Sequence, residues 1–177
     1  MFNKILIALD TQTACAALFN KALTLAQATD ADLMLLSVLT PEYDSSLTMP
    51  PYSGLSYYSM GVDDSAREVY QARYRDYEAK GLEILHSFTD QATATGISTE
   101  FTQVPGNPGR AICNLAKTWQ ADLVIVGSHG RKGLTEALLG SVSNYVMHHA
   151  PCSVLVVHAQ AVADPSAASP DLSAAKG

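Results

Sequence analysis

Positive charge is scarce in this chain. Eleven Lys and Arg stand against 17 Asp and Glu, leaving a formal net charge of -6. Those eleven are also scattered, which argues against a nucleic-acid partner, because phosphate-backbone binding needs a clustered basic footprint. Cysteine is equally sparse: Cys15, Cys113 and Cys152 lie far apart without paired spacing. They read as buried or half-buried thiols in a reducing compartment rather than a disulfide frame. No apolar run approaches the ~20 residues of a membrane span. Phe2-Asn3-Lys4-Ile5 leads straight into a strand pattern, so no leader peptide is expected. His148 and His149 followed by Cys152 superficially suggest a metal site. Adjacent helical side chains point about 100° apart, however, which is poor geometry for one tetrahedral ion. The expectation from these absences is a soluble, cytoplasmic protein with no metal centre, membrane span or nucleic-acid partner.

What is present is apolar and periodic. Hydrophobic residues make up 47% of 177 positions, enough for a single domain with a proper core. Lys4 to Leu9, Asp32 to Val38, Asp122 to Val126 and Ser153 to Val157 are short apolar or β-branched runs of the kind buried in parallel sheets. Thr99 to Gln103 alternates and is weaker, which suits an edge. Between these runs lie helical stripes. The first carries Leu18, Ala22, Leu25, Ala26 and Thr29. A long one runs from about Ser65 to Thr95, with Ala66, Val69, Tyr70, Arg73, Tyr77, Ile84, Leu85 and Phe88 along one side and Gly96 as its stop. At ~1.5 Å per residue it spans roughly 45 Å, longer than the sheet needs, so its first turns are expected to project. A third carries Ile112, Leu115, Ala116 and Trp119 after the turn Gly106-Asn-Pro-Gly109. Five strands alternating with helices predict an α/β fold, a doubly wound parallel sheet with helices on both faces. Residues 41–64, rich in Pro, Ser and Tyr, read as a long irregular loop, functional or mobile. The tyrosines of residues 52–77 fit a lid, a dimer contact or helix packing equally well. Residues 159–177 read as a disordered tail beyond a domain of residues 1–158.

The chain is organised around Gly127-Ser-His-Gly-Arg-Lys-Gly133, followed after a leucine-rich turn by Gly140-Ser141. An apolar strand precedes this run. A helical pattern with Val142, Tyr145, Val146 and His149 follows, with Ser141 placed as its N-cap. Strand, glycine-rich loop and helix start form an arrangement that holds phosphate. Glycines allow close backbone approach, and the helix N-terminus offers free amides and a favourable dipole. A Walker A loop is excluded, since Lys132 is followed by Gly133 rather than Ser or Thr. The dinucleotide fingerprint is excluded too, since Gly127 and Gly130 are three apart and the strand comes late in the chain. Within the loop, Ser128, His129 and Arg131 are further phosphate candidates, His129 when protonated. Arg131 is favoured slightly over Lys132 for the polyphosphate.

The spacing G-x2-G-x9-G-S over Gly127, Gly130, Gly140 and Ser141 resembles the nucleotide-binding signature of the universal stress protein family. So do the Ile-Ala-Leu-Asp opening (Ile7 to Asp10), Gly106-Asn-Pro108, Ala121 to Gly127, and His149-Ala-Pro-Cys-Ser-Val-Leu-Val-Val157. The resemblance covers roughly residues 1–158. It implies a strand order of 3-2-1-4-5, with the crevice between the first and fourth strands. It further implies ATP or AMP as ligand, with Mg²⁺ accompanying ATP. Phosphates would meet Gly127, Ser128, Gly130, Gly140 and Ser141, with Val142 and Ser143 adding contacts from the same helix turn. Asp10 would accept from the ribose, with Ala8 beside it in the opening motif. Val38, with Leu39 and Thr40, would offer backbone groups to adenine. Where the family continues with Gly-Ser after the aspartate, this chain has Thr11-Gln12. A homodimer through the fifth strand, Ser153 to Val157, is also implied.

The function expected is an adenine-nucleotide-binding stress-response or signalling protein, with occupancy controlling shape or partners. No catalytic residue is assigned. The alternatives are a slow ATPase or self-phosphorylating protein, with Ser141 or Ser143 as acceptor, and an interaction module that binds no nucleotide.

Overall fold

Lys4 to Leu9 presents apolar side chains in both directions, and both directions are covered. In the computed structural model, which describes residues 1–10, 15–40, 64–128 and 139–158, this segment is the central strand β1 (Lys4–Leu9). It is followed by α1 (Cys15–Thr29), β2 (Asp32–Leu39), α2 (Asp64–Ala94), β3 (Thr99–Pro105), α3 (Pro108–Trp119), β4 (Leu123–Gly127), α4 (Ser141–His149) and β5 (Ser153–Val157). The five strands form one sheet in the order β3-β2-β1-β4-β5, and every neighbouring pair is parallel. The expected doubly wound order and the helices on both faces are therefore present. The long loop expected at 41–64 lies outside the described residues except for Asp64, which opens α2. The tail at 159–177 also lies outside them.

Alternation along the strands builds two cores. Ile5, Ile7, Leu33, Leu35, Leu123 and Ile125 face one side, packed with Phe19, Ala22 and Ala26 of α1 and Leu85 and Ala92 of α2. Phe19 and Phe88 stack across that layer with centroids 4.4 Å apart. Leu6, Met34, Leu36, Val124 and Val126 face the other side, against Ile112 and Ala116 of α3 and Val146 of α4. The crossovers from β1 and β2 thus lie on one face and those leading to β4 and β5 on the other.

Local chemistry sets the boundaries. Gly96 takes φ +86 after α2, a backbone that glycine adopts without penalty. Asn107 caps α3, its side chain accepting from the Arg110 amide at 3.1 Å, and Pro108 fits the first helical position. Two helix readings need correction. The stripe assigned to α2 extends too far: Val69 is 51% exposed and Arg73 is exposed. Tyr70 and Tyr77 of that stripe do turn inward: Tyr77 packs on Leu39, the last residue of β2, with Tyr70 and Tyr74 against them. The first described turns of α2 therefore have little sheet left to bury against. On α4 the N-cap is Gly140, in extended conformation, and not Ser141. The Gly140 carbonyl accepts the first intrahelical bond, from the Asn144 amide at 2.9 Å, which makes Ser141 the first residue inside the helix.

Candidate functional site

The strand order places a switch between β1 and β4. They pair directly, from Ile5↔Leu123 to Ile7↔Ile125, yet the chain leaves β1 toward α1 on one face and β4 toward α4 on the other. Connections diverging to opposite faces leave a crevice at the carboxyl ends of the two strands. Asp10 follows β1 at that edge, and Gly127 and Ser128 close β4. Val38 and Leu39 end β2 on the far side of β1.

The glycine-serine corner is held on β4 by several bonds. The Ser128 amide donates to the Val157 carbonyl at 2.9 Å, continuing the β4–β5 ladder past Gly127. The Gly140 amide donates to the Ser128 carbonyl at 2.7 Å. That bond brings together the residues flanking 129–139. From one turn into α4, the Ser143 hydroxyl donates to the Gly127 carbonyl at 2.7 Å and reaches the Ser128 carbonyl at 3.3 Å. Ser128 and Ser143 are buried, whereas Ser141 is exposed and Val142 half-buried against the core under α3 and α4.

The first turn of α4 carries the electrostatic character of the site. Gly140 has no side chain to cap it, and no side-chain bond serves as cap. Among the described residues, nothing accepts from the amides of Ser141, Val142 or Ser143. Three donors therefore sit together at the positive end of a helix, equivalent to about half a unit charge. Such a group of amides is suited to an anion.

The other sequence candidates gather on the neighbouring strands. Ala8 and Val38 are half-buried on the α3–α4 side. Asp10 is half-buried at the edge, and its carbonyl accepts from the Cys15 thiol, which joins the end of β1 to the start of α1. The Leu39 carbonyl is taken by the Gly106 amide at 3.1 Å, while Thr40 is buried beside it. His129, Gly130 and Arg131, with Lys132, lie outside the described residues. His148 and His149 are exposed. The His149 ring stacks on Tyr145 at 4.1 Å, and its Nδ1 donates to the Tyr145 carbonyl at 2.8 Å. Among the described residues, no group of three or more His, Cys, Asp or Glu comes together to hold a metal ion. No helix among them is long and apolar enough to cross a membrane.

Two positioning contacts carry no plain sequence signal. Ser143 lies on the inner face of α4, where the apolar pattern marked Val142 and Val146. Tyr145 lies over Gly109 of α3 so closely that a Cβ there would stand 2.6 Å from Tyr145 Cδ1. A glycine within the first turn of a helix was the available hint, since close approach is one reason to place it there.

A family model for the universal stress protein family matches residues 1–158. The chain belongs to that family. Universal stress protein Sll1388 of Synechocystis is 34% identical over 156 residues, covering 88% of this chain and 97% of its own. The structure of the protein MJ0577 superposes with a TM-score of 0.69 at 21% identity, over 91% of this chain and 99% of that one. A universal stress protein family member from Arabidopsis thaliana, solved with AMP bound, gives 0.58 at 21% identity, over 93% and 97%. At such identities the structural likeness shows the shared fold. Within this universal stress protein domain, the glycine-serine corner occupies the carboxyl edge of the sheet.

Proposed function

We propose that this universal stress protein binds an adenine nucleotide, AMP or ATP, in the crevice between β1 and β4, and that occupancy alters its shape or its partners. The observation that carries this reading is the first turn of α4, which no side chain among the described residues caps. Its three amides face no acceptor among the described residues, at the one place where the sheet's crossovers diverge. A phosphate group fits that donor set in charge and in hydrogen-bond sense. Asp10 at the end of β1 accepts from the ribose hydroxyls, as an ionised carboxylate does well. Backbone at the end of β2, around Val38 and Thr40, borders the base. Gly130, His129 and Arg131 complete the phosphate contacts, and Mg²⁺ accompanies ATP. The AMP-bound relative from Arabidopsis thaliana supports the choice of adenylate.

Titration calorimetry with AMP, and with ATP in the presence and absence of Mg²⁺, tests the reading. Saturable one-to-one binding is expected, and absence of heat from both nucleotides at millimolar concentration would refute it.

The protein also pairs with a second copy through β5. This strand is a sheet edge, and Leu155 on it is 42% exposed while Met147 of α4 is 47% exposed. An apolar edge with no further strand beside it among the described residues favours strand pairing across a two-fold axis. Light scattering at micromolar concentration should return twice the mass of the 18.8 kDa chain, and the monomer mass would contradict it.

A further inference from the structure

Ser143 is a polar residue in a position where packing alone would favour an apolar one. It is 2% exposed and lies one turn into α4, between the half-buried Val142 and the fully buried Val146. Its hydroxyl has a single proton to give, and the proton goes to the Gly127 carbonyl at 2.7 Å, with the Ser128 carbonyl at 3.3 Å as the second, weaker neighbour. The Ser128 carbonyl in turn receives the Gly140 amide at 2.7 Å. The last residue of β4, the residue after it, the N-cap of α4 and the inner face of its first turn are thus tied together. The hydroxyl that the sequence offered as a phosphate ligand or phosphoryl acceptor is directed at backbone instead.

We propose that Ser143 is a positioning residue for phosphate binding: its hydroxyl fixes the first turn of α4 on the end of β4, so that the amides of Ser141, Val142 and Ser143 point at one anion. The inference rests on the nucleotide reading above and adds a residue-level mechanism to it. Three amides act together on one oxygen cluster only when their helix turn is held in place, and groups positioned to within about half an ångström are typically held by such supporting bonds. Losing the hydroxyl therefore weakens recognition of phosphate while leaving recognition of base and sugar, which come from β1 and β2, as it was. A residue needed only for folding would lower stability and weaken every ligand alike.

The test compares wild-type protein with Ser143→Ala and Ser143→Cys, titrated calorimetrically with AMP and with adenosine. Ser143→Ala is expected to bind AMP about tenfold more weakly, the worth of one lost hydrogen bond, while adenosine changes by less than about twofold. Ser143→Cys keeps the shape and offers a weaker donor, so its loss should again fall on AMP and be smaller; it decides the matter if the alanine variant does not fold. Equal losses for AMP and adenosine, or wild-type AMP affinity in the variants, would overturn the role given to Ser143 while leaving nucleotide binding intact. Failure of wild-type protein to bind AMP and ATP alike would overturn the nucleotide reading, and this inference with it; if ATP alone binds, the same comparison is read with ATP against adenosine.

Discussion

The two ends of the β1–β4 strand pair are chemically opposite. At the amino end, the Asp122 carboxylate accepts from the Asn3 and Lys4 amides at 2.8 and 2.9 Å. Lys4 Nζ donates to the Trp119 carbonyl at 3.3 Å and lies 5.0 Å from the centre of the indole ring. The side chains there are spent on closing the fold. At the carboxyl end the serine hydroxyl and the glycine amide hold the corner, but the leading amides of α4 have no acceptor among the described residues. One end therefore stabilises, and the other presents donors that the nucleotide proposed above would take. Divergent crossovers explain the asymmetry, because only at the carboxyl edge do the chains leaving β1 and β4 part and open a space.

That contrast can be broken from either side. Asp122→Ala removes a charged acceptor shared by two backbone amides and should lower stability by about 3 kcal/mol. Thermal unfolding should then come roughly 6–12 °C earlier, with AMP affinity unchanged. Gly140→Asp does the reverse: a carboxylate at the mouth of the donor cluster repels phosphate and obstructs it. AMP binding should weaken on the order of 100-fold with little shift in unfolding temperature. If Asp122→Ala abolished binding, or Gly140→Asp left it intact, the division of labour between the two ends would be wrong.

Gly109→Ala probes the link between them. The added methyl meets Tyr145 at 2.6 Å, and the Tyr145 Cβ itself lies 3.1 Å away, so a ring rotation alone does not relieve the overlap. A loss of about 1–3 kcal/mol follows from overpacking of this kind, read by chemical denaturation. The smallest effect concerns pH. Burial raises the Cys113 thiol above its ordinary range, and burial together with the Asp122 carboxylate raises Cys152. The folded chain then holds those protons to higher pH than the unfolded chain does. Their contribution to stability is full below the ordinary thiol range and declines as pH rises through the raised values. Denaturation midpoints should fall more steeply between neutral and alkaline pH in wild type than in a Cys113→Ala/Cys152→Ala double variant.

Much of this was legible in the sequence, for physical reasons that can be named. β1 and β4 read correctly because strands buried on both faces must be apolar at successive positions, and Leu123–Gly127 leaves no other reading. β3 read as an edge because only one side of it needs a neighbour. Gly96 and Asn107-Pro108 mark helix ends through backbone requirements that few residues satisfy. The strand order came from family resemblance, since periodicity says which residues face a core and not which strands adjoin. The length of α2 said that its first turns would outrun the sheet, but Val69 and Arg73 keep helical spacing there and so read wrongly as part of its inner side. The sequence could not say where the Ser143 hydroxyl points, and the structure turns it to the Gly127 carbonyl. A serine on the inner side of a first turn looks the same in sequence whether its hydroxyl meets a ligand or a strand carbonyl. The N-cap slipped by one for a related reason: Ser141 has a capping side chain, but the bond from Gly140 to Ser128 sets where the helix begins.

The most direct measurement is an amide-resolved NMR titration of the isotopically labelled protein with AMP. The amide signals of Ser141, Val142 and Ser143 should move downfield and saturate together, while those of Asn3 and Lys4, already bonded to Asp122, stay in place. Saturating AMP that leaves the α4 amides unmoved, or that shifts the amino-end amides instead, would contradict this expectation.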